Sequence, residues 1–118
     1  MGLSTHVLDT AHGRPAAGMG WSLFRIEADG TRTLLKRGVT NADGRGSEGM
    51  LLGYEELEIA RYQLVYQVAA YFRAQGVALP DPAFLDEVTL AFGIADTTQH
   101  YHVPLLCAPF SYTTYRGS

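Results

Sequence analysis

The 118-residue chain has a single cysteine, Cys107, so it holds neither an intramolecular disulfide nor a cysteine zinc cluster, and it suits a reducing compartment. No stretch approaches ~18 uninterrupted apolar residues, which excludes a transmembrane helix. Basic residues are also few, 9 Lys and Arg against 12 Asp and Glu, for a net charge of −3. That balance lacks the broad positive footprint of a nucleic-acid binder. The N-terminal residues show no basic region followed by an apolar one, so no signal peptide is expected and the expected location is cytoplasmic. Internal repeats, low-complexity tracts and like-charge blocks are absent. Charged residues make up only 18% of the chain against 47% hydrophobic, a composition that argues against disorder. One domain spanning 1–118 is the expectation at this length.

Turn signals recur at short intervals: His12-Gly13-Arg14-Pro15, Ala28-Asp29-Gly30, Asn41-Ala42-Asp43-Gly44, Pro80-Asp81-Pro82 and Ala108-Pro109. Segments rich in Val, Leu, Tyr, Phe and Thr lie between them, the pattern of an all-β sandwich or barrel. Strands are predicted over 3–10, 21–27, 32–39, 58–66, 87–93, 100–107 and 111–116, with Asp29-Gly30 closing a hairpin. Residues 67–75 are good helix formers ending at Gly76, so one short helix is predicted there.

Four histidines supply the first candidates for chemistry: His6, His12, His100 and His102. Imidazole titrates near neutrality and serves as acid, base or metal ligand, although each ring could equally be a structural, hydrogen-bonded one. Strand parity sorts them. Residues two apart share a face, so His6 goes with Ser4 and Leu8, and His102 with His100, Pro104 and Leu106. The opposite row, Tyr101, Val103 and Leu105, is more apolar and would be claimed by a core. His6 and His102 are therefore expected to face outward. The His100-x-His102 pair could begin a metal site, but zinc needs at least a third ligand and the sequence nominates none. Cys107 shares the apolar row, which predicts a buried, inert thiol.

Arg45 follows the turn Thr40-Asn41-Ala42-Asp43-Gly44, where its planar fork could meet a carbonyl or enolate on a flat ligand. The tail, residues 112–118, carries aromatic and β-branched side chains almost to the last residue, whereas most termini fray. A docked end is expected, with Gly117 allowing a tight turn behind Tyr115.

Three segments carry a family resemblance. Leu3-Ser4-Thr5-His6-Val7-Leu8-Asp9 with Gly13-Arg14-Pro15-Ala16 resembles the N-terminal signature of 5-hydroxyisourate hydrolases, the transthyretin-related enzymes. Thr40-Asn41-Ala42-Asp43-Gly44-Arg45 is similar to their central turn, and Tyr101-His102-Val103-Pro104-Leu105-Leu106 with Tyr115-Arg116-Gly117-Ser118 to their C-terminal signatures. Small departures occur at Cys107-Ala108-Pro109 and at Ser111, away from the family's catalytic positions.

The resemblance implies a transthyretin-like two-sheet β-sandwich of about eight strands with one short helix. It implies a homotetramer with active sites along a central channel, and hydrolysis of 5-hydroxyisourate without metal or other cofactor. The family's catalytic groups fall on His6, Arg45 and His102. Tyr115 is expected to touch substrate and Ser118 to shape the pocket. A carrier that binds a hydrophobic ligand in the same channel is the alternative, and channel polarity discriminates the two. A non-catalytic interaction module is a third reading, to which the histidines, the turn arginine and the ordered tail would be superfluous.

Overall fold

The computed structural model describes residues 2–46 and 49–117. Its strands are β1 (Gly2–Asp9), β2 (Arg14–Pro15), β3 (Gly20–Ile26), β4 (Arg32–Val39), β5 (Leu52–Gly53), β6 (Ala60–Tyr66), β7 (Val88–Ile94), β8 (Tyr101–Ala108) and β9 (Ser111–Thr114). The helix α1 (Val68–Ala74) lies within the predicted stretch, and a 3-10 turn covers Tyr54–Glu56. Two sheets face each other. One has the order β2-β1-β8-β9, with β5 also pairing β1, and the other runs β4-β3-β6-β7. The sandwich is as expected, with two additional strands, β2 and β5, each only two residues long. No periodicity can announce an element that short.

Alternation along the strands decides what each sheet buries. On β1, Leu3, Thr5, Val7 and Asp9 point inward, while Ser4, His6 and Leu8 are only half-buried. On β8, Tyr101, Val103, Leu105 and Cys107 enter the core, joined from the other sheet by Trp21, Leu23, Tyr62, Leu64 and Tyr66. Burial of such side chains contributes roughly 1.5–3 kcal/mol each, so both strands are held with a fixed face outward. Pro104 departs from its row: it is buried although its neighbours His102 and Leu106 are half-exposed.

Pairing of β1 with β8 is parallel, whereas the other strand pairs are antiparallel. It sets Ser4 opposite His102 and His6 opposite Pro104. A buried hydrogen-bond chain fastens this pair to the opposite sheet. Thr5 Oγ1 donates to the Val103 carbonyl at 2.6 Å, so its contact with the Tyr66 hydroxyl, also 2.6 Å, is accepted from the tyrosine. Burial pushes the Tyr66 phenol well above its ordinary range, and it stays a donor.

Candidate active site

His6 and Arg45 are brought together by a turn that the sequence specifies residue by residue. Asn41 Oδ1 accepts the N–H groups of Asp43 and Arg45, both at 3.0 Å, and the Asn41 N–H bonds the Arg45 carbonyl at 2.9 Å. Asparagine is favoured for this closure because its side chain imitates a backbone acceptor. Gly44 has φ +77°, and a Cβ there would run into the Val7 carbonyl oxygen, so only glycine lets the turn lie on β1. Its own carbonyl accepts Val7 N–H at 2.8 Å, and Arg45 bridges to His6. From the other sheet, Trp21 Nε1–H donates to the Gly46 carbonyl at 2.9 Å. The turn is thus pinned on both sides, with the Arg45 side chain exposed at its end. None of the ion pairs among the described residues engages Arg45.

The His6 ring is oriented by the same turn. Its Nε2 lies 2.8 Å from the Asp43 carbonyl oxygen. A carbonyl only accepts, so Nε2 carries the proton and the neutral ring keeps its lone pair on Nδ1.

His102 lies one strand away on the same face. Ser4 Oγ is 2.8 Å from His102 Nδ1 and 3.3 Å from His100 Nε2, so one hydroxyl touches both rings. Burial, with the Arg45 guanidinium and the neighbouring His6 and His100 imidazoles opposing a further positive charge, holds the His102 imidazole below the ordinary histidine value of 6.5.

The tail closes over this ring. Gly117 bridges to His102, its N–H donating to the His102 carbonyl at 2.8 Å. Gly117 has no positive φ, and its role differs from the predicted tight turn. A Cβ there would meet His102 Cδ2 at 2.7 Å, so the missing side chain is what lets the tail approach the ring. Upstream, β9 pairs Thr113 with Leu106 and Thr114 with Leu105. Arg116 folds back, stacking over the Tyr101 ring at 4.2 Å and donating to Gln99 Oε1 at 2.8 Å and the His100 carbonyl at 3.2 Å. The strand therefore ends at Thr114, short of the predicted Arg116.

The structure thus gathers His6, His102 and Arg45 on one outward face, with Gly117 packed against His102. Tyr115 is placed differently: it is exposed and borders the cleft between the sheets with Phe92, Tyr112 and Arg116. Ser118, expected to shape the pocket, lies outside the described residues. Ser4 and His100 were legible only as neighbours on their faces, and the parallel pairing makes them partners of His102. Cys107 is buried as predicted, and burial with the nearby Asp9 carboxylate pushes its thiol up to about 12, leaving it protonated and inert.

Residues 3–117 match the profile of the HIUase/Transthyretin family. The chain belongs to that family. It is 53% identical to 5-hydroxyisourate hydrolase 2 of Rhizobium meliloti (strain 1021), over 98% of this chain and 95% of that protein. Among solved structures, an (S)-allantoin synthase superposes with a TM-score of 0.91 at 41% identity, covering 98% of this chain but only 43% of that one. Sea bream transthyretin in complex with thyroxine gives a TM-score of 0.87 at 28% identity, over 99% of this chain and 95% of that one. Family membership fits the outward polar face, because the residues that carried the resemblance are those that build it.

Proposed function

We propose that the chain is a 5-hydroxyisourate hydrolase, opening the six-membered ring of this urate oxidation product at an amide bond to give 2-oxo-4-hydroxy-4-carboxy-5-ureidoimidazoline. The observation that carries the reading is the outward face that bears two imidazoles beside an exposed guanidinium, which has no ion-pair partner among the described residues. His6 Nδ1 is the base in this scheme. It takes a proton from water as the oxygen adds to the amide carbonyl, and returns it to the ring nitrogen that leaves. Arg45 holds the flat ring and stabilises the developing oxyanion, an effect often worth about 2.7–4 kcal/mol in acyl transfer. His102 is the second imidazole at the reacting carbonyl. Tyr115 and Ser118 contact the substrate in this reading, and no cofactor is needed.

The substrate pocket is completed by further copies of the chain in a homotetramer. Support comes from the exposed Tyr115, Tyr112 and Phe110 along the β9 edge, and from a histidine face that is open rather than enclosed. Among the described residues, four well-formed concavities of the single chain are lined without His6, His102 or Arg45. Sedimentation should give a tetramer, and a fully active monomer would overturn this part. The buried, protonated Cys107 suits the reducing conditions of the cytoplasm. A transthyretin-like carrier is less well supported, because identity to the thyroxine-binding protein is 28% against 53% for the hydrolase. A charged, histidine-lined face also offers little to an apolar ligand. The test is direct: freshly generated 5-hydroxyisourate should lose its absorbance many times faster with the protein than without it. An unchanged decay rate would sink the proposal.

A further inference from the structure

We infer that Ser4 and His100 form a hydrogen-bond relay that fixes the tautomer of His102, making its Nε2–H a donor to substrate and excluding it as the base. The inference rests on the hydrolase reading for its catalytic consequence, and on hydrogen-bond direction for the rest. The backbone N–H of Gly2 donates to His100 Nδ1 at 3.2 Å. A nitrogen that accepts carries no proton, so His100 is neutral with its proton on Nε2. That Nε2–H, 3.3 Å from Ser4 Oγ, donates to the hydroxyl. The hydroxyl keeps its own proton to give, and its other neighbour is His102 Nδ1, at 2.8 Å, which we take as the acceptor. With Nδ1 accepting, neutral His102 holds its proton on Nε2. The opposite direction is closed, since it would require a proton on His100 Nδ1, which the Gly2 amide already faces.

The relay is built into the framework. Parallel register sets Ser4 opposite His102, and Arg116 holds the His100 carbonyl from the tail. Among the described residues, the charged or titratable groups facing His102 are His6 from β1, Arg45 from the turn and His100 just before β8, and all three disfavour a second proton on the ring. A neutral imidazole that presents N–H polarises a carbonyl without needing to ionise. The two histidines of the site therefore divide the work, His6 accepting and His102 donating. Ser4 and His100 are positioning residues.

Long-range proton–nitrogen NMR of histidine-labelled protein reads the tautomer without any turnover. Wild type should show His102 protonated on Nε2, and Ser4→Ala should mix the two tautomers. In the same variant kcat should fall about tenfold with KM within about twofold of wild type. Ser4→Thr, which keeps the hydroxyl on a strand that favours β-branched residues, should restore both. His100→Phe should behave like Ser4→Ala, while His100→Gln, which retains a side-chain N–H for Ser4, should fall between. Wild-type His102 protonated on Nδ1 would overturn the relay, as would a Ser4→Ala variant with unchanged tautomer or unchanged kcat. A wild-type protein inactive on 5-hydroxyisourate would defeat the functional reading instead, and the spectra would still decide the relay.

Discussion

Gly117 lies so close against the His102 ring that a single added carbon would sit 2.7 Å from ring atom Cδ2. The tail and the imidazole occupy one packing unit, joined by the Gly117 N–H to the His102 carbonyl. Gly117→Ala should therefore displace either the ring or the tail. Activity on 5-hydroxyisourate should drop at least tenfold, about 1.4 kcal/mol of transition-state stabilisation, with little change in thermal midpoint, because the tail buries little apolar surface. An alanine variant with wild-type kcat/KM would separate the tail from the site.

Removing either outward ring opens no core cavity. His6→Ala and His102→Ala should stay folded, by circular dichroism and sedimentation, while losing most turnover. Near wild-type rates in either variant would remove that residue from the mechanism.

The acid limb of activity follows from the sign of the His102 shift. Its pKa lies below 6.5 because burial, then the Arg45 guanidinium and the neighbouring imidazoles of His6 and His100, oppose the imidazolium. The ring should thus remain neutral at pH 6.5 and titrate lower in an NMR pH series. Protonation of Nδ1 breaks the bond accepted from Ser4, so activity should fall below pH 6.5 as the ring charges. Titration of His102 at or above 6.5 would contradict this.

Arg45→Lys keeps the charge and loses the planar fork. Turnover should fall at least tenfold, roughly 1.4 kcal/mol, and steady-state kinetics on the two proteins would measure it. Unchanged kinetics would reduce Arg45 to a solvated turn residue.

Asp9 governs stability in acid rather than chemistry. It has no exposed surface, and it accepts from His12 Nδ1 at 2.6 Å, His12 N–H at 2.9 Å and the Tyr71 hydroxyl at 2.8 Å. Burial alone would push its carboxyl up, but these donors outweigh it and hold the group below the ordinary value of 3.8. Its stabilisation is complete above pH 3.8 and disappears as pH falls through the lower, folded-state value. Asp9→Asn should cost about 2 kcal/mol in urea unfolding at pH 7, and its stability should vary less with pH on the acid side. Equal stability at pH 7 would show that the carboxylate charge is dispensable there.

Much of this was legible in advance where one face of a strand is buried. The alternation from Tyr101 to Cys107 and from Leu3 to Asp9 was enough to turn His6 and His102 outward, and the run 32–39 matches β4 end to end. Other features depend on contacts that no local pattern carries. Ser4 and His102 are separated by 98 positions, and nothing in either segment says that the two strands run parallel. The Asp43 carbonyl that orients His6 is backbone, invisible to side-chain reasoning. Gly117 suggested a turn because glycine most often serves one, whereas here the absence of a side chain leaves room for a ring.

The pairing of β1 with β8 also sets an order of events on the ribosome. Since β1 is made early and its long partner comes some 98 residues later, the strand bearing Ser4 and His6 emerges with only the two-residue β2 and β5 available before β8. Contacts so distant in sequence close slowly, because loop entropy must be overcome before they form. A nascent chain can zip up its β3–β4 hairpin and add β6 and β7 while the histidines remain strangers. The histidine face is thus assembled last, and a chain cut short before β8 could fold much of one sheet yet never bring His6 and His102 together.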